Sequence, residues 1–216
     1  AQSGFIATSF QIASRALRVG NLFPLFLLDK IGRGLDICIT LLHHSPMARV
    51  ILRRCDEYDP DRIKHLIGEC MDELGLRPQG ITMIKPNCVI AHPTFFPHAF
   101  TRSEFLDGLL GAIRQRDEGV SDLWVGERCG ITIPTRFSFA NALYPKVIKR
   151  HKAKTKYFDE MSQVQRNLFS EGRLRDYIYI PEAVDACEWF VDAPKFKAHP
   201  WTKVTFNLKN YIGIQD

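Results

Sequence analysis

The sequence predicts an α/β protein: a mostly parallel sheet with helices on both faces, a Rossmann-like three-layer arrangement, preceded by an N-terminal helical extension. Three observations predict it. From Met47 onward, short apolar runs rich in β-branched residues alternate with segments of helical periodicity. The helical segments carry their own start and stop signals. Strand-then-helix units of this length connect right-handedly and place their helices on the faces of one sheet.

The elements follow in chain order. Leu28, Ile31, Leu35, Cys38, Ile39 and Leu42 recur at helical spacing and predict an amphipathic helix. Asp29, Lys30, Arg33 and Asp36 interrupt that stretch, which makes it a poor membrane span. Residues 1–46 therefore read as a helical extension outside the native domain, and the α/β domain as 47–216. Arg49–Arg54 is the first strand. Asp59-Pro60 opens a helix with Ile63, Leu66, Ile67, Cys70, Met71 and Leu74 along one face, and Gly75 closes it. Ile81–Val89 is the second strand. Thr101-x-x-Glu104 has the form of a capping box opening a helix that runs to about Arg116. Leu123–Glu127 is a third strand, 135–150 a helical segment, and Thr155–Asp159 a fourth strand. Tyr177–Ile180 and Glu188–Val191 are two more, separated by a turn of helix at Pro181.

Composition bounds the function. The 216 residues are 45% hydrophobic and 25% charged, with a formal net charge of +5, values ordinary for a globular protein. The excess is local. Residues 146–156 (KVIKRHKAKTK) hold six positive charges and no negative ones, so the rest of the chain sums to about −1 against the total of +5. Nucleic-acid binders spread their excess over a face, so nucleic acid is not the expected partner. The six cysteines are dispersed with no C-x-x-C; this is neither a zinc nor an iron–sulfur ligand spacing, and it fits a reducing, cytoplasmic setting. There is no Walker P-loop and no G-x-G-x-x-G. His92 and His98 lack a third ligand and are read as loop histidines. Cys129, after Gly126-Glu127-Arg128, is a candidate nucleophile.

The strongest functional signal lies between Lys195 and Asn210, where four lysines and His199 stand with no carboxylate among them. Crowded like charge is destabilising unless an anion answers it. Pro194 and Pro200 keep the segment between them extended. Alternation then points Lys195, Lys197 and His199 to one side within about 7 Å, and Phe196 and Ala198 toward the core. Other polar groups end other strands: Lys85 and Asn87, then Glu127, then Asp159-Glu160. Parallel sheets bind ligands beyond the carboxyl ends of their strands. A small anionic ligand, carboxylate or phosphate, is thus expected on this rim. Lys85, Asn87, Lys197, Lys209 and Asn210 would hold it, and His199, Glu127 and Lys195 would act as catalytic residues; no metal ligand is assigned.

These same residues carry a resemblance. Ile84-Lys85-Pro86-Asn87, Thr101, Val125-Gly126-Glu127, Pro194-Lys-x-Lys-x-His199, Thr205, Leu208-Lys209-Asn210 and Gly213 resemble the domain of unknown function 362 family, from about Arg49 to the end. The resemblance implies that the chain is the N-terminal portion of a longer domain. It also implies an iron–sulfur association through ferredoxin-like segments of some members, and hence a redox partner, although the cofactor is unknown and this chain carries no such motif. Three functional classes stay open: an anion-binding enzyme, an iron–sulfur-associated redox or metallocofactor-handling accessory protein, and a nucleic-acid or partner-binding module acting through 146–156.

Overall fold

A computed structural model describes residues 25–27, 35–41, 49–92, 94–130, 133–168, 174–199, 202–205 and 207–215. In chain order they form β1 (Leu25–Leu27), β2 (Leu35–Leu41), β3 (Arg49–Cys55), α1 (Pro60–Leu74), β4 (Gln79–Pro86), α2 (Ser103–Arg114), β5 (Gly119–Glu127), α3 (Thr135–Asn141), α4 (Tyr144–Arg150) and β6 (Lys154–Tyr157). Then come β7 (Gln163–Asn167), β8 (Tyr177–Pro181), α5 (Glu182–Ala186), β9 (Trp189–Ala193), β10 (Lys197–His199), β11 (Lys203–Thr205), α6 (Asn207–Asn210) and a 3₁₀ turn at Tyr211–Ile214. The main sheet has the order β3-β2-β1-β9-β4-β5-β6. Neighbours from β1 through β9, β4 and β5 to β6 are parallel, while β2 runs antiparallel between β1 and β3. The expected α/β fold with a mostly parallel sheet is the observed one.

Strand alternation divides the core in two. Ile84, Leu123, Val125, Trp189 and Val191 join one buried cluster with the inner faces of α1 to α4. The residues between them, Met83, Trp124 and Phe190, join a second with Ile180, Val184, Phe158 and Ile214. Period-two alternation in a sheet buried on both sides has this result. The layers are unequal: four helices cover one face, and the short α5, the β7–β8 hairpin and the last 3₁₀ turn cover the other.

Helix α1 is bounded as its sequence demands. The Asp59 side chain accepts a 2.7 Å hydrogen bond from the Arg62 amide, Pro60 stands in the first turn, and Gly75 takes the left-handed conformation (φ 69°) that closes the helix. It packs against α2 at a glycine. A Cβ on Gly108 would fall 2.6 Å from Ile63 Cγ2 and 2.8 Å from the Pro60 carbonyl oxygen. Gly108→Ala is therefore expected to lose about 1–3 kcal/mol to overpacking, although alanine is the better helix former by about 1 kcal/mol. Urea denaturation checks this; an unchanged or raised midpoint would mean that the helices part at no cost.

Four sequence expectations are corrected. The amphipathic helix expected over Leu28 to Leu42 is not formed at 25–27 or 35–41, which are strands paired with β9 and β3. Leu35, Ile37, Ile39 and Leu41 also satisfy a two-residue period, and the backbone groups of β3 offer that segment a complete ladder. Residues 1–24, 28–34 and 42–48 lie outside the described residues, and with them the boundary placed at Met47. The capping box at Thr101 is absent: α2 starts after Arg102 with no side-chain cap, and Glu104 bonds Arg102 and Ser103 instead. The segment 135–150 is two helices, because Leu143 adopts a left-handed conformation (φ 61°) just before Pro145. Finally, Tyr177–Pro181 is a strand, but outside the main sheet. It forms an antiparallel hairpin with β7 (Gln163–Asn167), a strand too polar to be legible in the sequence.

Candidate functional site

Three neighbouring strands, β9, β4 and β5, end in charged or amide residues, and the register brings them together. Lys85 is the cross-strand partner of Asp192, one residue beyond the pair Ile84 and Val191. Lys85 and Asp192 are 0% exposed and Glu127 is 1% exposed. Lys85 Nζ lies 2.6 Å from Glu127 Oε1 as a buried ion pair. The Arg128 amide donates to the same carboxylate oxygen and the Cys88 amide to the other, both at 3.0 Å. Glu127 is thus a hub that ties the end of β5 to the end of β4.

Asn210, delivered by α6, completes the cluster. Its amide nitrogen donates to Asp192 Oδ1 at 2.5 Å, and its carbonyl oxygen accepts from Asn87 Nδ2 at 2.9 Å. Thr101 serves the same junction. Its hydroxyl accepts from the Asn87 amide at 3.0 Å and donates to the Ala193 carbonyl at 2.8 Å. That is why it does not cap α2: satisfying two buried strand-end groups outweighs satisfying a helix end that water can reach. Gly213 lies over the ion pair. A Cβ there would stand 2.4 Å from Glu127 Oε1 and 3.0 Å from Lys85 Nζ, so only glycine permits the approach.

Burial sets the protonation of this cluster. One lysine faces two carboxylates in a water-poor space. Asp192 is pushed up to about 7 by burial, with Glu127 adding to the rise and Lys85 and Asn210 opposing it. Glu127 is also raised by burial, against the opposing pull of Lys85. Several buried polar atoms have no hydrogen-bond partner among the described residues: Asn87 Oδ1, Asp192 Oδ2, Thr205 Oγ1 and Asn207 Nδ2. Asn87 and Asp192 meet at Asn210, so their unpartnered atoms mark a spot where a polar guest or ordered water is favoured.

The lysine-rich segment lies beside this cluster. The facing expected for it, with Phe196 and Ala198 toward the core, is not the one seen. Lys195 is 2% exposed, Ala198 is exposed and Phe196 half-buried. The reason is that β10 pairs with β11, not with the main sheet, so its inner side meets polar loops and not the hydrophobic core. Lys195 donates to Tyr58 Oη at 2.6 Å and lies 5.2 Å from that ring, which Arg102 also covers at 4.8 Å. Lys197 is half-buried and donates to the Ala99 carbonyl. Burial pulls it down to about 8, and the positive charges of Lys209 and Lys195 add to the fall. His199 is lowered by partial desolvation and by the charges of Lys209 and Lys197, and its Nδ1 accepts from the Thr202 amide at 3.3 Å.

Apart from Asp159 and Glu160, the residues expected at the rim lie in one region, in two tiers. Lys85, Asn87, Glu127 and Asn210 form a buried floor with Asp192 and Thr101. Lys197, His199 and Lys209 stand at its accessible edge, and Lys195 turns toward Tyr58. Asp159 and Glu160, expected at the same rim, serve elsewhere: Asp159 accepts from the Thr135 amide and Glu160 pairs with Arg136. Sequence reading gave Thr101 and Gly213 only as part of the resemblance and assigned no role at the site to Asp192 or Tyr58. An aspartate closing the otherwise apolar strand Trp189-Phe-Val-Asp192 was the available signal.

The remaining candidates resolve more simply. His92 Nδ1 accepts from the Thr94 and Phe95 amides within its loop. No group of three metal-ligating side chains comes together among the described residues. A four-iron cluster needs four thiolates gathered together, and the described residues hold no such group, so they do not fit one. Within 146–156, Arg150 pairs with Asp107, Lys154 with Asp122, and Lys156 lies over the Trp124 ring at 4.0 Å.

A family model described as Domain of unknown function (DUF362) matches residues 82–216. No curated protein and no solved structure matches the chain.

Proposed function

The chain belongs to the domain of unknown function (DUF362) family, and from that premise we propose that it binds a small carboxylate- or phosphate-bearing anion at the carboxyl edge of its sheet. The observation that carries this reading is the state of Lys197. Its ammonium is pulled down to about 8 by burial and by neighbouring lysines, and neither it nor Lys209 pairs with a carboxylate among the described residues. Glu127, the buried carboxylate whose charge acts on Lys197, already has Lys85. A bound anion supplies the missing counter-charge and allows Lys197 to be fully protonated.

In this reading Lys197, Lys209 and His199 contact the ligand, and Lys85, Asn87 and Asn210 form the floor that fixes its depth. As an enzyme, the protein would use His199 as the proton carrier nearest solvent, with Lys195 and Glu127 setting the charge behind it. Two of the six positive charges of 146–156, Arg150 and Lys154, pair with internal carboxylates, which supports a small ligand over nucleic acid. No described helix is long and apolar enough to cross a membrane, and the five described cysteines are free thiols; a reducing, cytoplasmic setting belongs to the same proposal.

Thermal unfolding with inorganic phosphate and with malonate, at constant ionic strength, tests it. An anion at about 100 times its Kd stabilises by about 2.7 kcal/mol, which raises Tm by roughly 5–10 °C for a chain of this size. The Lys197→Ala/Lys209→Ala variant is expected to lose that increment while retaining its unliganded Tm. An equal increment in wild type and variant would remove the site. Binding should also take up a proton near pH 8–9, as the ligand restores Lys197 toward its ordinary range. Calorimetry in two buffers of different ionisation enthalpy reads that uptake.

A further inference from the structure

Cys88 and Cys129 follow the ends of β4 and β5, and the pairing of those strands places them side by side. The register runs from Thr82 and Leu123 to Ile84 and Val125; carried forward without a slip, it sets Cys88 opposite Cys129. The two chains stay together past that point, because the Gly130 amide donates to the Val89 carbonyl at 2.9 Å. Adjacent strands are about 4.7–4.9 Å apart, inside the Cα separation of about 4.4–6.8 Å that a disulfide spans. The two residues already touch. Cys129 Sγ donates to the Cys88 carbonyl oxygen at 2.5 Å, and the neighbouring Cys129 thiol together with burial holds Cys88 well above its ordinary range. Cys55 and Cys187 bond backbone carbonyls near their own positions.

We propose that Cys88 and Cys129 are a redox-active dithiol that closes reversibly to a disulfide by exchange with a low-molecular-weight disulfide such as glutathione disulfide. The geometry orders the two steps. Cys129 is 7% exposed and Cys88 0%, so Cys129 meets the reagent. Its thiolate attacks one sulfur of the external disulfide, the external S–S bond breaks, and one glutathione thiolate leaves, having taken up the electron pair. Cys88 then loses its proton to water and attacks the Cys129 sulfur of the mixed disulfide, expelling the second glutathione thiolate. Two protein thiols are oxidised by two electrons and one glutathione disulfide is reduced to two thiols. Within a reducing compartment such a pair acts as a sensor or exchange catalyst, not as a structural staple. It lies against the anion site, since the Cys88 amide holds Glu127 and the Cys88 thiol neighbours Lys197, but its chemistry requires no ligand there.

The test incubates the folded chain with glutathione redox buffers of graded potential, quenches with acid, and maps cysteines by alkylation and mass spectrometry. Wild type is expected to lose two alkylatable thiols together, to become lighter by two hydrogens, and to yield one cross-linked peptide joining Cys88 to Cys129. Dithiothreitol should reverse all three changes. The Cys88→Ser variant is expected to stop at a lasting glutathione adduct on Cys129, and the Cys129→Ser variant to leave Cys88 unmodified while circular dichroism stays native. If wild type also stops at the adduct, or keeps both thiols reduced in fully oxidised glutathione, or pairs either cysteine elsewhere, the proposal is overturned. The wild-type map is the primary readout, so the proposal stands or falls on it even where a variant fails to fold.

Discussion

Lys85→Met is expected to destabilise the folded protein by about 3–5 kcal/mol, the loss that follows removal of one partner from a buried ion pair. Methionine nearly preserves the volume, so cavity formation contributes little. What remains is Glu127, fully buried 2.6 Å from where the ammonium stood, and Asp192 on the adjoining strand, which Lys85 also steadies. Both must then take up protons to stay buried, so the loss should shrink as pH falls toward 5. A double substitution, Lys85→Met with Glu127→Gln, removes the stranded charge and should recover part of the loss. It will not recover all of it, since the carboxylate accepts from two amides and glutamine offers one oxygen. Chemical denaturation of the wild type, the two single variants and the double variant measures the coupling. A Lys85→Met loss below about 1 kcal/mol would mean that the pair is hydrated and that the floor of the site is open.

The second large effect is a pH dependence set by Asp192. In the unfolded chain this carboxyl ionises near its ordinary value of 3.8, and in the folded protein burial pushes it up to about 7. Between those values the folded state holds a proton that the unfolded state has lost. Stability from this group is therefore complete below pH 4, falls as pH rises toward 7, and is level above. The change is on the order of a few kcal/mol. Asp72, held below the ordinary carboxylate range by its hydrogen bond from Arg116, acts with the opposite sign at lower pH, so the slope must be read as a difference between proteins. Asp192→Asn should flatten the wild-type curve between pH 4 and 7. Parallel curves for the two proteins would show that Asp192 is ionised throughout, with Lys85 shared between both carboxylates.

Much of this was legible in the chain, and the reasons for the failures are physical. Lys85, Asn87 and Glu127 could be placed at one rim because strand polarity in a parallel sheet is fixed by connection rules, and each is a polar residue ending an apolar run. Tertiary pairing is what a linear pattern lacks. The charge of Lys85 is matched by Glu127, and Lys195 turns to Tyr58, a residue from a loop far earlier in the sequence. Thr101 fits a capping box by spacing alone, yet the backbone groups of Asn87 and Ala193 claim its hydroxyl. Residues 35–41 satisfied both a helical and a strand period, and the neighbouring strand decided between them. The polar strand Gln163–Asn167 had no apolar run to announce it.

The closing of Gly213 over Lys85 and Glu127 constrains biosynthesis. Residues 207–215 bring Asn210 onto Asp192, stack Tyr211 on Phe190 at 5.9 Å and bury Ile214 in the second core cluster. During translation the strands bearing Lys85 and Glu127 leave the ribosome long before this segment does. The nascent chain must keep those charges hydrated until the segment emerges, and β9, which joins β1 to β4 at the centre of the sheet, emerges only shortly before it.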